Sequence, residues 1–254
     1  MNSPQISVIT ISYNAVNEIE NTLLSVINQK YSNIEYIVVD GGSNDGTVDI
    51  IRKYENYIDK WISEPDNGIY DAMNKGIDMA SGEWLNFMNS GDMFLNDMVL
   101  ENVFSKDYPD SISFLYSNYW LSDKQGKFFL RTAERKLGHI NHQSSIYKKK
   151  LHAIYGYYLT QKPYSVYDLI FFLSVPENNF YKLPFEISKN DGNGITSQGY
   201  WTCEKAEAAR ALFGIKSLNS AAMTLFIRKF KDSIPHSLFI FVKKYVLRKK
   251  DNML

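Results

Sequence analysis

The chain has 254 residues, with 28 basic and 28 acidic side chains and a formal net charge of zero. A balanced charge does not indicate a nucleic-acid-binding protein, and the length suits one large α/β domain or one domain with a small appendage. Cys203 is the only cysteine, which excludes an intrachain disulfide and fits a reducing compartment. The first residues do not resemble a signal peptide and no run of about 18 apolar residues occurs, so we expect a soluble or peripheral protein.

The first half of the sequence alternates strand-like and helix-like segments. In the first helix, Asn17 is the expected N-cap and Glu20 completes a capping box. Alternation of this kind predicts an α/β domain with a mainly parallel, or mixed, sheet and helices on both faces. The apolar patterns predict strands over 6–11, 34–39, 61–63 and 83–88, and helices over 18–29, 48–57 and 69–80.

Three polar clusters follow the predicted strands, at residues 12–14, 40–47 and 89–92. Ligands of parallel α/β sheets bind beyond the carboxyl ends of the strands. We therefore expect the three clusters to meet in one crevice.

The second half of the sequence is less regular. Two strand-like segments, 113–120 and 127–131, flank a turn at 124–126 and predict a hairpin. Further strands are expected over 144–147 and 180–183, with a short helix over 167–173. From about residue 201 the pattern is helical.

The loop that begins at Asp40 is rich in glycine, with Gly41 and Gly42 directly after the carboxylate. A carboxylate in this place can accept a hydrogen bond from the N–H of a base, and the glycines let a flat ring approach the backbone. An ordinary turn after a strand explains the same segment equally well. The loop contains neither G-x-x-x-x-G-K-[ST] nor G-x-G-x-x-G, which excludes a Walker phosphate loop and weakens a dinucleotide-binding interpretation.

Four segments, taken in order, resemble family 2 glycosyltransferases of the GT-A fold, in particular the bacterial branch that builds O-antigen, capsule and exopolysaccharide. They are SVITISYN at 7–14, IVVDGGSNDGT at 37–47, SEPDNGIYDAMNKG at 63–76 and FMNSGD at 87–92. The resemblance implies a GT-A domain over 1–200, with a Rossmann-like nucleotide-sugar-binding half over 1–105 and an acceptor-binding half over 106–200. Residues 201–254 are expected to form a helical, basic and amphipathic extension.

The resemblance also implies roles for single residues. Asp40 corresponds to the carboxylate that contacts uracil. The lining of the nucleoside pocket corresponds to Thr10, Ser12 and Tyr13, and the contacts with ribose, diphosphate or donor sugar correspond to Asp66, Tyr70, Asn74 and Lys75. Burial in the helix core is the alternative for Tyr70, and exposure to solvent is the alternative for Lys75. The nucleotide-sugar contacts implied in this way are Thr10, Ser12, Tyr13, Asn14, Asp40, Gly41, Gly42, Asp66, Tyr70, Asn74, Lys75, Ser90 and Gly91.

The segment 89–92 resembles a reduced form of the family's metal-binding motif, which usually reads D-x-D-D. Asn89 and Gly91 replace the earlier acids, and Asp92 matches the last one. Mg²⁺ or Mn²⁺ takes one or two carboxylates together with phosphate oxygens and water, so one carboxylate and a diphosphate can suffice. We expect Asp92 to be the metal ligand, with weak metal affinity in the absence of nucleotide.

The catalytic base is less easily assigned. The family places it in a segment like (E/A)-D-x-D-L, and Val166 occupies the base position in the matching stretch 165–169. Valine cannot take a proton from an acceptor hydroxyl, which an inverting transfer requires. We expect Asp168 to serve instead; His142 has two further interpretations, as a residue lining the acceptor site and as a structural histidine. The candidates for the base are Asp168, His142, Glu186 and Asp191.

Basic and apolar residues are interleaved at the C-terminal end of the chain. Such a mixture is typical of an amphipathic element on an anionic lipid surface. An ordinary packed helix is the second interpretation, and a nucleic-acid patch is the third because no nucleic-acid-reading motif accompanies the charge. The basic residues are Arg228, Lys229, Lys231, Lys243, Lys244, Arg248, Lys249 and Lys250.

Together these features predict a metal-dependent, inverting hexosyltransferase. It would move a hexose from a UDP-sugar to a hydroxyl of a polyprenyl-diphosphate-linked saccharide during surface polysaccharide synthesis, including O-antigen of lipopolysaccharide. We expect a cytoplasmic protein, peripheral on the inner face of the membrane. Val166 and the reduced acidic motif leave a second hypothesis open, a catalytically impaired nucleotide-binding subunit of a polysaccharide assembly complex. A nucleotidyltransferase is a third option, weakened because the expected triphosphate loop is absent.

Overall fold

A computed structural model describes residues 3–160 and 166–192 of the chain. Strands and helices alternate through the first half of the described residues and are shorter in the second half. The strands are β1 Ile6–Ser12, β2 Ile34–Asp40, β3 Lys60–Ser63, β4 Trp84–Phe87, β5 Met93–Phe94, β6 Phe114–Tyr116, β7 Tyr119–Ser122, β8 Phe128–Arg131, β9 Ser145–Lys148, β10 Phe180–Lys182 and β11 Ser188–Asn190. The helices are α1 Ile19–Ile27, α2 Thr47–Lys53, α3 Ile69–Met79, α4 Val99–Phe104, α5 Lys150–Tyr155 and α6 Tyr167–Ser174.

The larger sheet has seven strands in the order β10-β6-β9-β4-β1-β2-β3. Neighbouring strands run parallel except around β9, which is antiparallel to both β4 and β6. The prediction of a mainly parallel, mixed sheet is confirmed.

Helices cover both faces of the larger sheet, so β1 is buried along its whole length. Ile9 shares a core cluster with Met73 and Ile77 of α3, whereas Val8 shares a second cluster with Leu23 of α1. Because successive strand residues point to opposite faces, the uninterrupted apolar run of β1 fills two cores at once.

A glycine lets α3 lie close against the sheet. A Cβ added to Gly76 would lie only 2.5 Å from Cγ2 of Ile9. The helix therefore packs on β1 at a distance at which any side chain at position 76 would force Ile9 or the helix to shift.

The predicted hairpin is only partly correct. Strands β7 and β8 do pair antiparallel across a turn, but the segment 113–120 is divided between two sheets. Its first part, β6, joins the larger sheet, and its second part, β7, joins a four-stranded sheet in the order β5-β11-β7-β8. The break lies at Ser117, whose amide donates to the Ser144 carbonyl and whose hydroxyl accepts from the Ile187 amide.

The predicted capping box of the first helix is wrong. Glu18 is the N-cap, without a side-chain capping bond, and the first-turn amides of Glu18 and Ile19 donate to the carbonyl of Ala15. The Glu20 carboxylate instead accepts hydrogen bonds from Lys53 Nζ and Tyr54 Oη, both at 2.7 Å. A cation and a phenol from the neighbouring helix outcompete the local backbone for this carboxylate, which ties α1 to α2.

The carboxyl ends of the central strands meet at one edge of the larger sheet. Ser12 pairs in register with Asp40, and Asp40 pairs with Ser63, so the segments that follow β1, β2 and β3 lie side by side. β4 lies on the other side of β1 and leads into 89–92, where the Ser90 amide donates to the Ile11 carbonyl. The three polar segments therefore meet at one edge of the sheet, where the crevice is predicted.

The described residues contain no helix long and apolar enough to cross a membrane. The predicted helical, basic extension from residue 201 lies outside the described residues.

Candidate active site

The Asp40 carboxylate is fully buried and saturated with hydrogen bonds. Oδ1 accepts hydrogen bonds from the hydroxyls of Ser12 at 2.9 Å and Ser43 at 2.5 Å. Oδ2 accepts from the Ser63 hydroxyl at 2.7 Å and from two main-chain amides, those of Gly42 at 3.1 Å and Ser43 at 2.8 Å. Burial alone would raise the pKa of Asp40, but the bonds from Ser43, Ser63 and Ser12 outweigh it and hold the pKa below its ordinary value. Five donors occupy a group with about four acceptor sites. Asp40 therefore organises the loop, and its contact with a uracil ring stays a prediction.

An aromatic ring and a second carboxylate lie at the mouth of the crevice. The Tyr13 side chain is 65% exposed. A Cβ on Gly41 would lie 2.6 Å from Asp66 Oδ2 and 3.2 Å from Tyr13 Cδ2, so the glycine allows both groups to approach the backbone. Asp66 Oδ1 accepts from the Gly68 amide at 2.7 Å. This corner combines a stacking surface with a hydrogen-bond acceptor.

Two residues predicted to contact the nucleotide-sugar, Thr10 and Asn14, have other partners. Thr10 is fully buried, and its Oγ1 lies 3.0 Å from Tyr36 Oη in the core. Asn14 has a positive φ of 47°, its amide donates to Ser43 Oγ at 2.8 Å, and its Oδ1 accepts from the Asn44 amide at 3.1 Å. Both residues shape the walls of the crevice in this conformation.

The α3 residues predicted to contact the donor are each held by the protein. Asn74 donates from Nδ2 to the Tyr158 carbonyl at 2.8 Å and accepts from the Tyr158 amide at 3.0 Å. Lys75 pairs with Glu64 at 2.7 Å. Tyr70 is buried and donates from Oη to Asp168 Oδ1 at 2.9 Å. Asn74 thus anchors the loop around Tyr158, and Tyr70 orients Asp168.

A hydrogen-bonded chain joins Asp168, His142 and Asn89. Asp168 Oδ2 lies 3.1 Å from His142 Nδ1, and His142 Nε2 lies 3.1 Å from Asn89 Nδ2. An amide nitrogen can only donate, so Nε2 accepts and Nδ1 carries the ring hydrogen. Burial favours a higher pKa for Asp168, but the bonds from His142 and Tyr70 outweigh it and keep the pKa below its ordinary value. The Asp168 carboxylate therefore holds the His142 ring through Nδ1, and Nε2, on the opposite side of the ring, faces Asn89.

Val166 precedes α6 in a left-handed conformation, with φ of 63°. A β-branched residue rarely adopts this conformation, which costs about 1–3 kcal/mol. Its side chain is buried in the core. The strained turn starts α6 at Tyr167 and puts Asp168 in the first turn, where its carboxylate reaches His142 and Tyr70.

Asp92 lies in a buried pocket with Gln143 and Asp191. Its side chain is 5% exposed; Oδ1 accepts from the Asp191 amide at 3.0 Å and Oδ2 accepts a short bond from Gln143 Nε2. Burial raises the pKa of Asp92 to about 7, and the nearby His142 and the Gln143 bond oppose the rise only in part. A buried carboxylate of this kind gains from a cation.

The surroundings of Asp92 fit a hard divalent metal ion in part. Three oxygen atoms in or bonded to the 89–92 segment have no hydrogen-bond partner among the described residues, namely Asn89 Oδ1, Ser90 Oγ and Gln143 Oε1. Oxygen ligands of this type suit Mg²⁺ or Mn²⁺. The described residues contain no group of three histidine, cysteine or acidic side chains that could hold a metal alone. The remaining ligands would have to come from the substrate and water.

The four candidates for the catalytic base lie in three different places. Asp168 and His142 contact each other, whereas Asp191 contacts Asp92. Glu186 lies partly buried in the loop between β10 and β11, and its carboxylate has no hydrogen bond or ion pair with the other described residues. Asn89 and Gln143 were not predicted as partners of His142 and Asp92, although Asn89 lies in one of the four segments that resemble the family.

Comparison with known proteins relates this crevice to a family. The sequence model described as Glycosyl transferase family 2 matches residues 7–165. An uncharacterized glycosyltransferase of Mycobacterium tuberculosis is 48% identical over 103 residues, which cover 40% of this chain and 39% of that protein. The putative teichuronic acid biosynthesis glycosyltransferase TuaG of Bacillus subtilis is 38% identical over 127 residues, or 48% of this chain and 50% of that protein. The matched region thus spans half or less of these two relatives.

Solved structures with the same architecture have low sequence identity. TarS 1–349 of S. aureus in complex with UDP-GlcNAc has a TM-score of 0.68 at 19% identity, over 90% of this chain and 73% of that one. A mannosyltransferase of Pyrobaculum calidifontis in complex with GDP-Man and Mn²⁺ has a TM-score of 0.56 at 15% identity, over 96% of this chain and 85% of that one. The predicted GT-A fold is confirmed, and because the family model matches well over half of the sequence, the chain belongs to glycosyl transferase family 2.

Proposed function

We propose that the protein is an inverting glycosyltransferase that moves a hexose from a UDP-sugar to a hydroxyl of a lipid-linked saccharide in surface polysaccharide synthesis. The observation that carries the proposal is the chain from Asp168 through His142 to Asn89, directly beside the buried Asp92. A proton acceptor and a carboxylate for the diphosphate end of the donor are then neighbours at the ends of the central strands.

The mouth of the crevice supports a nucleotide donor. The nucleobase of the donor would stack on the exposed ring of Tyr13 and donate an N–H to Asp66 Oδ2. Asp40, whose carboxylate is fully hydrogen-bonded, would hold the loop after β2 in place. The UDP-GlcNAc bound to TarS supports uracil as the base, and surface-polymer synthesis follows from the name of TuaG. Both come to this chain by analogy.

Asp92 would hold Mg²⁺ or Mn²⁺ together with the donor diphosphate. The ion would supply electrostatic stabilisation of the negative charge that develops on the leaving UDP. The Mn²⁺ complex of the Pyrobaculum enzyme is consistent with this use of the fold.

His142 and Asp168 act together as the base. The acceptor oxygen forms a bond to the anomeric carbon while the bond from that carbon to the diphosphate oxygen breaks. The Asn89 amide turns its unpartnered Oδ1 toward the ring, which frees His142 Nε2 to take the acceptor proton and gives the new N–H an acceptor. The Asp168 carboxylate stabilises the resulting imidazolium through Nδ1. The products are the glycosylated acceptor, UDP and a proton that returns to water from His142.

The second candidate function, a nucleotide-binding partner subunit, rests on Val166 at the expected base position. The His142–Asp168 pair favours catalysis over this alternative. Peripheral attachment to the inner face of the membrane through the basic residues after 226 also belongs to the proposal.

Calorimetric titration with UDP tests the donor site first. We expect Mn²⁺-enhanced binding to the wild type that Asp92→Asn abolishes and that Asp110→Asn, at an exposed loop position, retains. Release of UDP from a panel of UDP-sugars, with polyprenyl-linked saccharide extract as acceptor, then tests turnover. Nucleotide binding without turnover would support the partner-subunit alternative, and absence of binding with or without Mn²⁺ would overturn the proposed function.

A further inference from the structure

The 89–92 motif contains a single acid, and the backbone explains why position 91 does not carry another. Gly91 has φ of 94°, a conformation that an L-amino acid with a side chain rarely adopts. An aspartate at position 91 would therefore strain the turn that brings Asp92 into the crevice. Any second carboxylate for this motif must come from another part of the chain.

Asp191 occupies the space beside Gly91. A Cβ built on Gly91 would lie 3.5 Å from Cβ and 3.9 Å from Oδ2 of Asp191. The Asp191 amide donates to Asp92 Oδ1 at 3.0 Å, and Ser122 Oγ donates to Asp191 Oδ1 at 3.0 Å. β11 and β7 thus hold a carboxylate where a side chain from position 91 would begin.

An unsatisfied oxygen points to a ligand at the same place. Gln143 is 8% exposed, its Nε2 bonds to Asp92 Oδ2, and its Oε1 has no hydrogen-bond partner among the described residues. A buried amide oxygen without a partner costs about 1–3 kcal/mol. A half-turn of the amide exchanges Nε2 and Oε1, which would offer a cation two carboxylates, from Asp92 and Asp191, and one amide oxygen, from Gln143.

We propose that Asp191 is the second carboxylate of the metal–diphosphate site, in place of the acid that position 91 cannot carry. The proposal rests on the proposed function, because the divalent cation is the one that would accompany the UDP-sugar. Mg²⁺ or Mn²⁺ commonly takes one or two carboxylates with phosphate oxygens and waters, so the pair of aspartates and a diphosphate complete the set. Asp191, directly after β11 and 99 residues further along the chain than Asp92, would thereby supply the acid that the reduced motif lacks.

Electron paramagnetic resonance of Mn²⁺, which reports the free ion directly, tests the assignment without a turnover assay. Mn²⁺ would be titrated into the full-length protein with and without UDP. We expect Asp191→Asn to weaken Mn²⁺ binding in the presence of UDP by at least about tenfold, since loss of even an outer partner of a metal ligand typically costs about 10- to 100-fold. The amide keeps an acceptor for Ser122 and leaves the main-chain bond to Asp92 in place.

Glu18→Gln is the matched control. Glu18 is exposed, and its Cβ lies 3.9 Å from the Cβ built on Gly91, so its removal takes one negative charge from the same neighbourhood. We expect its Mn²⁺ affinity to equal that of the wild type. An equal loss in both variants would mean that general charge rather than ligation is measured, and it would overturn the assignment.

The result separates this inference from the proposed function. Wild-type affinity for Mn²⁺ and UDP in Asp191→Asn would refute the role of Asp191 while leaving the function intact. Absence of UDP binding in the wild type with Mn²⁺ would refute the function itself. If Asp191→Asn melts well below the wild type, Asp191→Ser carries the same expectation, because serine retains the main-chain amide and lacks the carboxylate.

Discussion

Replacing Asp168 with asparagine should remove the base by changing the tautomer of His142. The new side-chain amide would keep an oxygen for Tyr70 Oη but present an NH₂ group to His142 Nδ1, which then has to accept. The ring hydrogen would move to Nε2, and Asn89 can accommodate it by turning its unpartnered Oδ1 toward the ring. His142 would then present an N–H, rather than an electron pair, to the acceptor hydroxyl.

The expected loss follows from the contribution of a general base. Such a group typically accelerates a reaction by about 10²–10⁴, so kcat should fall by that factor, which is about 3–5 kcal/mol in activation free energy. The Asp168 side chain bonds to His142 and Tyr70, neither of which belongs to the corner formed by Tyr13 and Asp66. KM for the UDP-sugar should therefore change by less than about threefold, because the substitution leaves unchanged the contacts that bind the donor equally in the ground state and the transition state.

Initial rates of UDP release at saturating donor, together with ¹⁵N chemical shifts of the His142 ring, would measure both effects. Asp123→Asn, in the exposed β7–β8 turn, is the matched carboxylate-to-amide control and should have the wild-type rate. A kcat for Asp168→Asn above one third of the wild-type value, or an unchanged His142 tautomer, would refute this reasoning.

Three further outcomes are expected. Tyr13→Ala should weaken UDP binding in calorimetry by about 1–3 kcal/mol through lost base stacking, whereas Tyr57→Ala, equally exposed outside the crevice, should have no effect. Gly76→Ala should lower the free energy of unfolding in urea by about 1–3 kcal/mol, because the added Cβ overlaps Ile9; a more stable variant would contradict the packing. Burial favours a higher pKa for Glu35, but hydrogen bonds from Lys60, Ser7 and Ser81 outweigh it and lower the pKa to about 2. The ionised carboxylate therefore contributes its full stabilisation of the fold above the ordinary pKa of 4.5, and this contribution is lost as the pH falls toward 2. Glu35→Gln should therefore cost about 1–2 kcal/mol of unfolding free energy at pH 7 and less at pH 3, and an equal cost at both pH values would contradict the assignment.

Local patterns were sufficient to predict the main elements. The apolar runs of β1 and β2 and the helical spacing of α3 each agree with the structure to within one or two residues. The polar residues after those strands could be assigned to one crevice because parallel strands end at the same edge. Where a segment belongs to two sheets, as in 113–120, the alternation of apolar residues does not record which edge each half will join.

The partners of individual side chains could not be predicted in the same way. Glu20 has a suitable local backbone donor, but it bonds to Lys53 and Tyr54 because packing brings a second helix within reach. Asp40 resembles a ligand-binding carboxylate in the sequence, yet hydroxyls from three different segments fill its acceptor sites.

The same distinction holds at the centre of the candidate site. Asp168 and His142 are 26 residues apart, and Asp92 and Asp191 are 99 residues apart. Helical and strand periodicity depends on neighbours within a few residues, so composition and spacing could identify the chemical groups and the edge of the sheet. Pairing across such separations depends on how the two sheets and α6 pack, which is why the contacts of Asp168 with His142 and of Asp92 with Asp191 could be seen only in the folded arrangement.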